Sequence, residues 1–144
     1  MLFRSFKRRR LLLDTNILLD AVCKERPQSD EACAVLKRCN GGGDIGFATA
    51  MSFKDAYYIL SKQYGEPTGR RLVNALLGLV AVVPLGGEEC LLSIDSSEPD
   101  FEDGLVRACA ELNDIDFIIT RDAVAFGKSR IRAVDCKEYL EIVS

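Results

Sequence analysis

Residues 11–20 read LLLDTNILLD. Three leucines run without interruption into Asp14, and Ile17, Leu18 and Leu19 resume the apolar pattern two residues later. A short continuous apolar run predicts a strand buried on both faces, as in a parallel sheet, rather than one that alternates between core and solvent. Asp14 therefore falls just past the carboxyl end of a buried strand and at the start of a helix. A carboxylate is costly to bury without a partner, so the position needs a reason. Two are open: a cap for the helix that follows, in the order Asp-Thr-Asn, or a ligand-binding role.

The same grammar repeats along the chain. Helices are predicted from Ile17 to about Lys24 and from the Pro27-Gln28-Ser29-Asp30 start signal to Cys39, ending at Asn40-Gly41. Ile45–Thr49 reads as a strand, and Ser52–Tyr64 as a helix with Phe53, Tyr57, Leu60 and Tyr64 on one face, closed by Gly65. Further on come a helix over 68–79, a strand over 80–84 and a short helix over 88–94. A polar break, Asp95–Pro99, precedes a helix over 101–112 with Leu105, Ala108, Cys109 and Leu112 as its stripe. Strands over 116–120 and 131–134 and a helix over 137–143 complete the chain. Strands of continuous apolar type alternating with helices predict a three-layer α/β/α domain around a mostly parallel sheet of about five strands. One domain over residues 11–144 is expected, preceded by a basic arm over 1–10.

Composition narrows the chemistry. The 144 residues carry a net charge of −3, with 19 basic and 22 acidic side chains. Five of the basic residues (Arg4, Lys7, Arg8, Arg9 and Arg10) lie in the first ten, leaving fourteen against twenty-two, a net of −8, in the rest. That balance argues against binding nucleic acid by bulk positive potential, but not against acids that hold cations. There is no histidine, which removes the commonest general base. Six cysteines without CxxC spacing make a Cys/His zinc site improbable. They read as small buried hydrophobes in a reducing compartment, hence a cytoplasmic protein. The basic start lacks the features of a secretory signal, and the longest nearly apolar run, Ala75–Leu85, is too short to span a bilayer.

In an open α/β sheet, ligands bind outside the carboxyl ends of the strands. Asp14 and Asp122 fall just past two such ends, Asp55 one turn into the helix after a third, and Asp100 and Asp103 at the start of the helix leading to the Asp122 strand. Gathered carboxylates raise one another's pKa and need a compensating cation, and an oxygen-only donor set suits Mg²⁺ or Mn²⁺. Such a site commonly works on phosphates. Each acid also has a plain reading. Asp14 and Asp100 suit helix caps, and Asp103 suits the first-turn acid that complements the helix dipole. Asp55 could be a solvated helix residue and Asp122 could open a turn. Glu102, about 100° round the helix from Asp103, is expected to point elsewhere. Asp20, Asp30, Asp44, Asp95, Asp114, Asp116 and Asp135 read as caps, turns or surface.

With those residues in view, the chain resembles the PIN-domain family of metal-dependent ribonucleases over roughly residues 11–143. LLLDTNILLD is similar to the family's opening strand and first acid. SFKDAYYIL (52–60) resembles the helix of the second acid, with Asp55 where many members carry Glu. DFEDGLVRACAELNDIDFIITRD (100–122) resembles the region of the third and fourth acids, Asp103 and Asp122, and IRAVDCKEYLEIV (131–143) the last strand and helix. The resemblance implies Mg²⁺- or Mn²⁺-dependent cleavage of RNA by Asp14, Asp55, Asp103 and Asp122. Of these, Asp14, Asp103 and Asp122 are the core metal ligands. Thr15, Asn16, Thr120 and Asp100 would orient them through hydrogen bonds. Arg121, Lys128 and Arg130, with Arg132, are candidate phosphate contacts; their plain reading is solvated surface charge. A small PIN protein of this kind is most often the toxin of a type II toxin–antitoxin pair (VapC-like). It is then a homodimer held silent by a cognate antitoxin.

Three alternatives stay open on the residues alone. A haloacid-dehalogenase-like phosphatase also places an Asp after its first strand but needs an acid two residues later, where this chain has Asn16. A receiver domain needs an acid pair near the first strand. A degenerate PIN-like domain would bind a partner without catalysis.

Overall fold

A computed structural model describes residues 8–96 and 100–144. Most of the basic arm and the last part of the polar break, residues 97–99, lie outside the described residues. The elements run β1 (Arg9–Leu13), α1 (Thr15–Val22), α2 (Ser29–Asn40), β2 (Asp44–Thr49), α3 (Ala50–Tyr64), α4 (Glu66–Leu77), β3 (Val80–Val83), α5 (Gly87–Asp95), α6 (Phe101–Leu112) and β4 (Phe117–Ile119). A 3-10 turn (Ala123–Phe126), β5 (Arg132–Val134) and α7 (Cys136–Val143) follow.

All five strands are parallel, in the order β3-β2-β1-β4-β5. The Leu11–Leu13 run makes β1 the central strand, and all three leucines are almost wholly buried. Pleating sends successive side chains to opposite faces. Leu11 and Leu13 join Ile17, Leu18, Val35, Leu36 and Tyr139 from α1, α2 and α7 on one face. Leu12 joins Val106, Cys109 and Ala110 of α6, with Ile118 and Phe126, on the other. The sheet is thus covered on both faces, which is why its strands carry no polar alternation. A third cluster, Leu19, Cys23, Ala56 and Leu60, packs α1 against α3.

Several boundaries differ from the sequence expectation, each for a local reason. β1 starts at Arg9 rather than Leu11, paired with Asp44 of β2. The Arg10 guanidinium lies 4.4 Å over the Phe47 ring and donates to the Asn113 carbonyl, so its charged head is held by a ring face and a carbonyl. α3 starts at Ala50 because Thr49 caps it, accepting from the Ser52 N–H at 3.0 Å. Gly65, at φ +92°, ends α3 in a conformation that favours glycine. α4 begins at once, at Glu66, with Pro67 in its first turn, where a missing N–H costs nothing.

Candidate active site

Asp14 is the N-cap of α1, and its Oδ1 accepts from the Thr15 N–H at 2.9 Å. Its own N–H donates to the Ile119 carbonyl at 2.9 Å, which continues the β1–β4 pairing to the carboxyl edge of the sheet. Its Oδ2 accepts from the Thr120 hydroxyl at 2.9 Å. That same hydroxyl accepts from the Asp122 N–H at 3.1 Å. Thr120 is 1% exposed. One buried hydroxyl therefore ties the carboxylate after β1 to the backbone of the acid after β4. The cap reading of Asp14 holds and does not exhaust the group. A carboxylate has about four lone-pair sites, and two remain after these bonds.

A second hydroxyl chain joins the starts of α1 and α3. Thr15 Oγ1 donates to Ser52 Oγ at 2.9 Å, and Ser52 Oγ lies 3.2 Å from Thr49 Oγ1. Ser52 stands three residues before Asp55, so the contact sets the second acid's helix against the first acid's cap. Ser52 and Thr49 are site-building residues that the sequence reading missed. The signal was present, since Thr-x-x-Ser at the strand-to-helix junction is a capping pattern.

Asp55 is half-buried, and its Oδ1 lies 2.8 Å from Lys54 Nζ. The hydrogen bond and charge of Asp55 hold the Lys54 ammonium above its usual range, with a smaller push from Glu102. Asp100 caps α6, accepting from the Glu102 N–H at 2.8 Å. Asp103 is half-buried in the first turn of α6. Asp122 is exposed and precedes the 3-10 turn without capping it. Asn16 is exposed.

The acids suit Mg²⁺ or Mn²⁺ in donor chemistry, being hard oxygens without nitrogen or sulfur. In number they fall short. Among the described residues no three Asp, Glu, Cys or His side chains stand together as a metal cage. Asp14 accepts from Thr15 and Thr120 and Asp55 pairs with Lys54, so an ion would have to draw the carboxylates in.

The basic candidates separate. Arg121 lies between Thr120 and Asp122, and its guanidinium is committed to Asp20, with Nε 3.1 Å from Oδ2 and Nη2 3.2 Å from Oδ1. Arg130 donates to the Glu111 carbonyl at 2.9 Å, in the last turn of α6, whereas Asp103 lies in its first turn. Lys128 is exposed. Arg132 opens β5 and pairs with Glu138 at 2.9 Å.

Two acids read as cap, turn or surface are neither exposed nor peripheral. Asp20 and Asp44 are both fully buried. Asp20 is paired with Arg26 at 3.3 Å as well as with Arg121. Asp44 is paired with Arg38 Nε at 2.7 Å and accepts from the Tyr139 hydroxyl at 2.8 Å. Among the cysteines, 23, 39, 109 and 136 are buried as expected, but Cys90 is exposed. No helix among the described residues is long and apolar enough to cross a membrane.

Comparison with known proteins places these features. The chain is similar to VapBC-1 of nontypeable Haemophilus influenzae, with TM-score 0.68 and 15% identity over 89% of this chain and 98% of that one. It is similar to a toxin–antitoxin complex from Klebsiella pneumoniae, with TM-score 0.66 and 19% identity over 88% and 97% of the two chains. It is also similar to VapC20 of Mycobacterium tuberculosis, described as a sarcin-ricin loop cleaving toxin, with TM-score 0.63 and 13% identity over 82% and 94%. No curated protein matches. The family model of the PIN domain matches residues 10–123. A match running from β1, which leads into Asp14, to the residue after Asp122 leaves one assignment: the chain belongs to the PIN-domain family.

Proposed function

We propose that this chain is an endoribonuclease dependent on Mg²⁺ or Mn²⁺, acting in the cytoplasm as the toxin of a type II toxin–antitoxin pair. The observation that carries the reading is the Asp14–Thr120–Asp122 link at the carboxyl edge of β1 and β4. Asp14, Asp103 and Asp122 would hold the ion, with Asp55 completing the acid set. Bound there, the ion supplies a Lewis acid for the phosphodiester and lowers the pKa of water. That chemistry needs no histidine, and the chain has none.

The protein's own part is placement. The Thr120 hydroxyl fixes one oxygen of Asp14 and the backbone of Asp122, and Thr15 through Ser52 sets α3 and hence Asp55. Asp100, by capping α6, sets the first turn that carries Asp103. Asn16, which follows Thr15 and is exposed, would orient the acids through a hydrogen bond. Lys128, which is exposed, would be a phosphate contact, whereas Arg121 and Arg130 are engaged by Asp20 and by the Glu111 carbonyl.

A protein partner is supported by exposed apolar side chains. Leu91 and Ile94, three apart on α5, are 69% and 71% exposed, and Ser93 is the one buried residue of that helix. Exposed apolar surface of this kind suits an antitoxin or a second copy in a homodimer. A second reading, a PIN-like domain that binds a partner without catalysis, draws on the absence of three gathered acids among the described residues.

The deciding experiment incubates mixed RNA with the protein in Mn²⁺, in Mg²⁺ and in EDTA, beside Asp14→Asn. The nuclease reading predicts metal-dependent fragments with 5′ phosphate and 3′ hydroxyl ends that vanish in the variant. Equal cleavage by parent and variant, or cleavage that persists in EDTA, contradicts it.

A further inference from the structure

Asp20 is a fully buried carboxylate to which the reading above assigns no task. Its partners are unusual in origin. Arg26 follows α1 directly, whereas Arg121 comes from the far end of the chain, between Thr120 and Asp122. The loop after β4 is thus tied to α1 twice. Thr120 holds the cap residue Asp14, and Arg121 holds Asp20, six residues on. At 1.5 Å per residue those anchor points are about 9 Å apart along the helix. One anchor would leave the loop free to pivot about Thr120. Two fix its direction, and with it the place of Asp122.

We infer that the Asp20–Arg121 ion pair is a strut and that both are positioning residues for Asp122. The consequence for catalysis rests on the metal-nuclease reading; the strut itself does not. The guanidinium fork is suited to this task because its Nη2 donates to Asp20 Oδ1 while its Nε lies within ion-pair distance of Oδ2, a span that a single ammonium does not cover. The Nε–Oδ2 contact has ion-pair distance without hydrogen-bond geometry, so the grip is carried by charge and by the Nη2 bond. Beside the pair lies a cavity of about 240 Å³ lined by Ile17, Asp20, Gln28, Glu31, Arg121 and Cys136, among others. A side chain at 121 released from Asp20 has room to swing there.

The test uses Arg121→Gln, because the Arg121 side chain is 37% exposed and its loss leaves a fold to measure. Asp20→Asn, which disturbs a wholly buried group, is the companion variant, and Arg121→Lys is the conservative one. The first readout is hydrogen exchange of the Asp122 amide, which donates to Thr120. The strut predicts exchange at least tenfold faster at Asp122 in Arg121→Gln, unchanged exchange at Ile118 and Ile119, and partial recovery in Arg121→Lys. An Asp122 amide that does not respond, or one that quickens only in step with the core amides, overturns the inference. The second readout is Mn²⁺ affinity with kcat and KM on RNA. Lost support behind a metal ligand typically costs 10–100-fold, so affinity and kcat should fall by that factor with KM held within about twofold. A raised KM with unchanged Mn²⁺ affinity makes Arg121 a phosphate contact and overturns the positioning role. If the parent binds no Mn²⁺ while the Asp122 amide responds as expected, the metal reading fails and the strut stands.

Discussion

The Thr120 hydroxyl is the smallest group on which the proposed site depends, and Thr120→Val removes it with almost no change of shape. The hydroxyl donates to Asp14 Oδ2 at 2.9 Å and accepts from the Asp122 N–H at 3.1 Å, at a side chain 1% exposed. A hydrogen bond to a charged acceptor is worth about 1.5–3 kcal/mol. The Asp122 N–H lies nearer solvent and can recover part of its loss from water, so a total near 2 kcal/mol is expected for the variant. An unfolding entropy of about 2.1 cal/mol/K per residue gives about 0.3 kcal/mol/K for 144 residues. The Tm should therefore fall by about 7 °C. Under the nuclease reading, loss of the group that orients Asp14 should also cut Mn²⁺-dependent RNA cleavage by about 10–100-fold. Thr120→Ser keeps the hydroxyl and gives up one methyl group, so it should lose about 1 kcal/mol and retain most of the activity. The assays are thermal unfolding and initial cleavage rates, run on the three proteins side by side. A valine variant within 2 °C of the parent and equally active would refute the idea that this hydroxyl organises the edge.

Asp44→Ala should cost about 3–5 kcal/mol, because it leaves Arg38 without its partner and strands the buried Tyr139 hydroxyl. Denaturant titration measures it, and a loss under 1 kcal/mol would contradict the burial argument. Burial pushes the Cys39 thiol up to about 11 and the Cys109 and Cys136 thiols up to about 12. A folded pKa above the unfolded value of 9.0 gives stability that is complete below pH 9 and is lost as pH rises through 11–12. Stability should thus fall between pH 9 and 11, and Cys109→Ala should flatten that fall by up to about 1.4 kcal/mol per pH unit; a pH-independent ΔG over that range would contradict it. Lys54→Gln removes the cation 2.8 Å from Asp55 and should tighten Mn²⁺ binding severalfold in a titration. Weaker binding would mean that the ammonium organises the acids rather than competing with the ion.

Much of the fold was legible because the strands are unambiguous. Leu11–Leu13 and Phe117–Ile119 are buried from both sides, so each reads as a continuous apolar run, and parallel pairing follows from the helices between them. The 3-10 turn after Asp122 was not legible; AVAF has the composition of a helix or strand, and only its packing under Phe126 decides. Arg9 and Arg10 look like arm residues until Asp44 and Phe47 are placed opposite them. The acids at the strand ends could be found from position alone. Asp20 and Asp44 each have an arginine six residues off, Arg26 and Arg38, but their other partners, Arg121 and Tyr139, lie 101 and 95 residues away. An arginine at that spacing does not by itself distinguish a buried acid from a turn. PIN-family membership removes the phosphatase and receiver alternatives, which rested on one Asp after one strand.

A divalent ion at the carboxyl edge is proposed to draw the acids together, since no three of them are gathered among the described residues. Mn²⁺ titration followed by electron paramagnetic resonance, on the parent and on Asp14→Asn, tests it most directly. Saturable binding by the parent, weakened at least tenfold in the variant, is expected. Binding that Asp14→Asn leaves unchanged, or a parent that takes up no Mn²⁺ at millimolar concentration, would contradict it.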